Sequence, residues 1–170
     1  KNDIEYAKIK PEIVTKSIQE FSKDRYRVDV LKIEFPVNMK FVEGTKAFAG
    51  KGIAYNKKQV TELFKKSAAA AKKPYIYLSA GVSDDEFRES LELALESGVH
   101  FSGVLCGRAT WAAGVPEYCK GGAAAFRAWL NNRGVANIKA LNTVLDKAYP
   151  WHDRYGGLSK IQEVEATSIA

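Results

Sequence analysis

Val28-Asp29-Val30-Leu31-Lys32-Ile33-Glu34-Phe35 is the stretch on which the reading of this chain turns. Its concentration of β-forming apolar residues predicts a strand. A lysine at the centre of such a run is unusual, because an ammonium group rarely leaves water without a partner. Two readings of Lys32 follow. In one, the side chain snorkels from an exposed strand face. In the other it is buried, and burial favours the neutral amine, a nucleophile towards carbonyl carbon and so a candidate for imine catalysis.

Working outward, helical and strand signals alternate. Upstream, Pro11 is expected to open an amphipathic helix with Ile13, Val14, Ser17, Ile18 and Phe21 on one face. Downstream, residues 36–56 carry Gly44, Gly50 and Gly52 and read as a mobile surface loop. Gly44 to Gly52 is not a P-loop, since the spacing is wrong and Gly52 replaces the Ser/Thr after Lys51. Val60, Leu63, Phe64, Ser67 and Ala68 predict a second helix, ended by Pro74. Tyr75 to Ser79 is a second strand. Ser83 with Glu86 has the form of a capping box for a helix burying Phe87, Leu91, Ala94 and Leu95, stopped by Gly98. Phe101 to Cys106 is a third strand. Two more helices run through Phe126 and Leu130, then through Ile138, Leu141, Val144 and Leu145, leaving 151–170 as an irregular tail.

Strands separated by helices predict βα units on a parallel sheet, within one domain over residues 1–150. A small doubly wound sheet is one solution. A complete (β/α)8 barrel needs roughly 250 residues, so a chain of 170 could supply only part of one. Apolar residues make up 46% and charged residues 27%, the balance of a globular domain with a real core. No apolar stretch approaches the roughly 20 residues of a membrane span, so no membrane association is expected. Lys1-Asn2-Asp3 shows neither an initiator Met nor a leader core and reads as an internal segment. Cys106 and Cys119 lack paired-ligand spacing and are expected as reduced cytoplasmic thiols. With only His100 and His152, no His-built metal site is expected. The net charge of +6 fits phosphorylated metabolites or nucleic acid alike, but basic residues are scattered among acids and no nucleic-acid recognition motif occurs.

Two strand ends share a chemistry. Ser79-Ala80-Gly81-Val82-Ser83 leads into a helix start, and Cys106-Gly107-Arg108-Ala109-Thr110 follows the third strand. Small residues such as Gly81 and Gly107 let backbone N–H groups approach an anion, a helix start adds a favourable dipole, and Arg108 can add a bidentate charge. In barrels, phosphate commonly binds at the loops after the last two strands. The plainer reading is that the glycines make tight turns and Arg108 lies on a surface.

Three blocks, Val28 to Asn38, Pro74 to Ser83 and Gly103 to Trp111, occur in the order and near the spacing of a known family. With them the chain resembles the tagatose 1,6-bisphosphate aldolases, which are class I and metal-independent. The resemblance implies a TIM barrel of which this chain supplies the C-terminal half, about strands six to eight. It implies that Lys32 is the Schiff-base lysine and that Ser79, Leu105 and Arg108 bind substrate, the phosphate included. It further implies reversible cleavage of D-tagatose 1,6-bisphosphate to dihydroxyacetone phosphate and glyceraldehyde 3-phosphate, in lactose and galactose catabolism, without a cofactor. The family's N-terminal half is absent, and with it the acidic proton-transfer residue. Glu34 shares a strand face with Lys32, but an ordinary ion pair is the expectation for it.

The expected partners are thus a phosphorylated ketose and the N-terminal half of the same barrel, with a homo-oligomer open. The isolated chain is expected to be inactive. The competing class is a non-catalytic phosphosugar-binding or regulatory module with the anion cradle intact and Lys32 inert.

Overall fold

The computed structural model describes residues 3–162. Helix α1 spans Ile4–Phe21 and is capped by Asp3, whose side chain accepts from the Tyr6 N–H. It therefore starts seven residues before Pro11, which lies inside it rather than opening it. The buried stripe is Ala7, Pro11, Val14, Thr15 and Ile18. Of the expected apolar face, Val14 and Ile18 are buried, but Ile13 is 44% and Phe21 49% exposed. The stripe points at α2 and the sheet, and those two side chains flank it.

Strand β1 is Leu31–Ile33, shorter than the apolar run suggested. Residues 36–56, expected as a loose loop, are instead built in. Met39, Phe41 and Val42 are buried, and β2 (Val42–Glu43) pairs in parallel with β3 (Tyr55–Asn56). Thr45 Oγ1 donates to the Met39 and Val42 carbonyls, and Ala54 N donates to Phe41 O. The glycines drew attention to turns and hid the apolar anchors between them.

Helix α2 (Lys57–Ala70) begins at a full capping box between Asn56 and Gln59 and buries Val60, Phe64 and Ser67. Strand β4 is Tyr75–Leu78 and helix α3 is Asp84–Glu96, with Ser83 as N-cap. The Ser83 half of the expected box forms, but Glu86 makes no reciprocal bond and turns into a cavity. Phe87, Leu91 and Ala94 are fully buried, as their spacing predicts. Strand β5 is reduced to Val104–Leu105, although backbone bonding to β4 starts earlier, with Ser102 N on Tyr75 O at 2.8 Å.

The sheet order is β1-β4-β5, all parallel, with α2 and α3 as crossovers. Leu31, Ile33, Tyr75 and Tyr77 face the helices. There Phe35 stacks on Tyr77 at 4.3 Å, with Phe64, Phe87 and Phe101 around the pair. Helices α4 (Arg108–Trp111), α5 (Val115–Trp129) and α6 (Val135–Leu145) complete the domain. The last two run together through a π-helical segment, Leu130–Gly134. The real break lies inside α5, at Gly121 and at Gly122, whose φ is +65°. In the tail, Trp151–Tyr155 and Leu158–Lys160 form short 3₁₀ turns, and Tyr155 donates its hydroxyl to Asp29 O at 2.6 Å. The rest of the tail, 163–170, lies outside the described residues. Among those described, no helix is long and apolar enough to cross a membrane.

Candidate active site

Lys32 occupies the middle of β1, between Leu31 and Ile33, which are buried against the helices. The pleat therefore sends its side chain to the opposite face. Register pairs Lys32 with Ile76 and Leu78 with Leu105, so these four side chains share that face. Among the described residues no element covers it. Lys32 is exposed, not buried as one of the two readings required, and Leu105 is 51% exposed.

Of the residues expected to cradle phosphate, Gly81 and Arg108 come together. Ser79 follows β4 directly and is buried, and its carbonyl accepts from Val82 N at 3.1 Å. Between them Ala80 and Gly81 both have positive φ, +52° and +81°, the signature of a type I′ turn. Glycine adopts this freely, whereas Ala80 pays a steric cost. Arg108 lies over this turn: a Cβ built on Gly81 would sit 3.2 Å from its Cζ. The loops after β4 and β5 thus meet through one guanidinium, which is exposed and open to an anion. Gly107 precedes Arg108, and its carbonyl accepts both the Thr110 N–H, at 2.9 Å, and the Thr110 hydroxyl, at 2.8 Å. Asn137 of α6 donates to Thr110 O at 3.0 Å, tying the Arg108 turn to the helix behind it. Cys106 lies beside this turn, and burial first, then the Asp84 charge, pushes its thiol pKa up. It is a poor nucleophile.

Two hollows adjoin these residues. One, of about 410 Å³, runs along the free edge of β1 against α1 and is lined by Lys32, Glu34 and Leu78 with Ile13, Ile18 and Phe21. The other, of about 390 Å³, opens at the ends of β1 and β4 and contains Lys10, Glu34, Lys40, Ser79 and Glu86. Lys10 is the residue the sequence reading passed over. It stands within the buried stripe of α1, three after Ala7 and four before Val14, and a lysine in such a position was the available signal. Its side chain is 12% exposed, and Nζ pairs with Glu34 Oε2 at 3.4 Å. Burial lowers its pKa against the opposing pull of Glu34. Burial likewise raises the Glu86 carboxyl. Glu34 does form an ion pair, as expected, but with Lys10 and not with Lys32.

Residues 1–113 match the model of the DeoC/LacD family aldolases. A tagatose 1,6-diphosphate aldolase of Listeria monocytogenes serotype 4a is 47% identical over 163 residues, covering 95% of this chain and 47% of that protein. One from Lactococcus lactis subsp. lactis is 50% identical over 152 residues, 89% of this chain and 46% of its own length. Tagatose 1,6-diphosphate aldolase 2 of Streptococcus pyogenes serotype M3 is 50% identical over 151 residues, 88% of this chain and 45% of its own. The chain spans about half the length of these relatives. With a family match over most of its length and identity near one half, the chain belongs to the DeoC/LacD aldolase family.

Proposed function

We propose that this chain is the C-terminal half of a (β/α)8 barrel, with β1, β4 and β5 as strands six to eight, and that the whole barrel cleaves D-tagatose 1,6-bisphosphate. The observation that carries the proposal is the Arg108 guanidinium laid over Gly81, joining the loops at the ends of two adjacent parallel strands. This is where a barrel binds phosphate. Ser79 and the Gly107 turn complete the cradle, and Leu105 and Lys32 lie on the helix-free face of the same sheet.

In this reading the Lys32 amine adds to the C2 carbonyl of the ketose and water leaves, giving an iminium ion. A carboxylate outside this chain removes the C4 hydroxyl proton, the C3–C4 bond breaks, and its electron pair flows into the iminium to form an enamine. Glyceraldehyde 3-phosphate departs. Protonation at C3 and hydrolysis of the imine then release dihydroxyacetone phosphate. The iminium is the electron sink that a zinc ion provides in metal-dependent aldolases.

An ordinary lysine amine, of pKa ~10.4, is only a few parts in ten thousand neutral at pH 7, and lowering it to about 7 takes ~4–5 kcal/mol of differential solvation. An exposed face cannot supply that, so enclosure by the N-terminal half is integral to the proposal. The free edges fit such a partner. Ile13, Phe21 and Leu105 expose apolar surface beside unpaired strand edges, a combination that proteins normally cover. The isolated chain should therefore associate and turn over little substrate.

The exposure of Lys32 is also the one observation favouring the rival, a phosphosugar-binding module with an inert lysine. Borohydride reduction in the presence of dihydroxyacetone phosphate separates the two. When the chain is combined with the N-terminal half of its barrel, we expect a covalent adduct at Lys32 and restored cleavage. Phosphate binding with no adduct would establish the binding module instead. Enzyme-like turnover by the chain alone would overturn the half-barrel assignment.

A further inference from the structure

Glu34 follows Lys32 by two residues, just past the end of β1, and both side chains line one hollow. At that spacing extended side chains reach each other, and an ion pair between them is the simplest outcome. It does not form. Glu34 Oε2 lies 3.4 Å from Lys10 Nζ, and among the described residues Lys32 has no carboxylate partner. Lys10 comes from a different element, α1, and is held at two points, since its Nζ also donates to Val37 O at 3.4 Å. Glu34 is thus engaged by a nearly enclosed cation from α1 and not by Lys32, although both line the same hollow.

We propose that Lys10 is a positioning residue which withholds Glu34 from Lys32 and so leaves the Lys32 amine without an anionic partner. The chemical consequence is direct. Addition to a carbonyl needs a free nitrogen lone pair, and an ammonium group locked to a carboxylate has none. The inference deepens the imine reading of Lys32, yet the placement of Glu34 can be tested without it.

The charged and titratable surroundings are few. Tyr6 of α1 and Glu34 line the hollow that Lys32 enters. The adjoining cavity adds Lys10 from α1, Lys40 from the turn after β1, and Glu86 from α3. Glu86 acts on Lys10 and is itself countered by Lys40. Glu34 is the one carboxylate common to both hollows, so it is the group that removal of Lys10 would release.

The test uses the 170-residue chain itself and limiting acetic anhydride, from about pH 6 to about pH 10, bracketing the lysine range. Labelling is read at Lys32 by peptide mass spectrometry, with exposed Lys66 as reference. In K10M, Glu34 swings onto Lys32, and labelling of Lys32 near neutral pH falls about threefold to tenfold, a displacement of its profile by about half to one pH unit. K10R retains the wild-type profile, and the double variant K10M/E34Q recovers it. E34Q alone leaves Lys32 unchanged, because Glu34 is already engaged elsewhere. A folded K10M with an unmoved Lys32 profile overturns the proposal. Should K10M not fold, E34Q still decides: increased labelling of Lys32 in that variant would mean that Glu34 already pairs with it. Failure of the borohydride adduct would sink the imine reading while leaving the Lys10–Glu34 result standing.

Discussion

The turn at Ala80–Gly81 supports a pair of substitutions with opposite signs. Ala80 has φ +52°, where a Cβ costs ~1–2 kcal/mol. Replacing it by glycine removes that cost and returns ~0.5–1 kcal/mol of unfolded-state entropy. A80G should therefore stabilise the chain by about 0.5–1 kcal/mol, or roughly 1–4 °C in Tm for a domain of this size. G81A imposes the cost that A80G relieves, at φ +81°, and should lower Tm by a similar amount. The new methyl also meets Arg108 at 3.2 Å, but what it meets is the far end of an exposed side chain. That contact should give way at little cost in stability while displacing the guanidinium. G81A should accordingly weaken phosphate binding, and the double variant G81A/R108A should melt where G81A does. Urea and thermal unfolding followed by circular dichroism read the stabilities, and calorimetry with inorganic phosphate reads the site. Ordinary loop behaviour, with A80G destabilising, would refute the turn geometry and with it the account of how Arg108 is seated.

The other expectations are simpler. R108A removes the only guanidinium of the two loops and should weaken inorganic phosphate binding about tenfold or more, the worth of one charged hydrogen bond, with native stability retained. Glu89 accepts the Lys46 N–H at 2.6 Å and the Ala47 N–H at 3.0 Å, so E89A should speed tryptic cleavage at Lys46 and Lys51 while moving the global urea midpoint little. Tyr75 and Tyr77 are buried, and burial raises the Tyr75 hydroxyl from about 10 to about 12 and pushes that of Tyr77 well above its usual value. A raised folded-state pKa means stability that is complete below pH 10 and lost as pH climbs towards 12. The unfolding free energy from urea titrations should fall over that window in the wild type, by about 2–3 kcal/mol for Tyr75 alone, and fall less in the Y75F/Y77F variant.

Much of the scaffold was readable from local pattern. Phe87, Leu91 and Ala94 recur at helical spacing behind a serine cap, and that helix forms where expected with those side chains fully buried. The alternation of strand and helix foretold a parallel sheet, and the glycine-bearing turns after β4 and β5 do approach each other, with Arg108 over Gly81. Other features misled for identifiable reasons. Pro11 is compatible with a helix start or an interior position, and only the Asp3 cap and the fit of the proline against the core select the second. The glycines of residues 44–52 suggested looseness, whereas Phe41 and Val42 anchor the segment and Glu89, more than forty positions away in sequence, clamps it.

Which segments make most of the strands and helices was decided by composition and period, because both act over a handful of neighbours. Whether Lys32 meets water or a closed interior was not, since period two assigns it a face but says nothing of what lies opposite. The engagement of Glu34 with Lys10, and the Arg108 guanidinium resting on Gly81, belong to the same class. Each joins positions more than twenty residues apart, and such distances close only when the chain packs, so charge and contact there are properties of the fold and not of any segment.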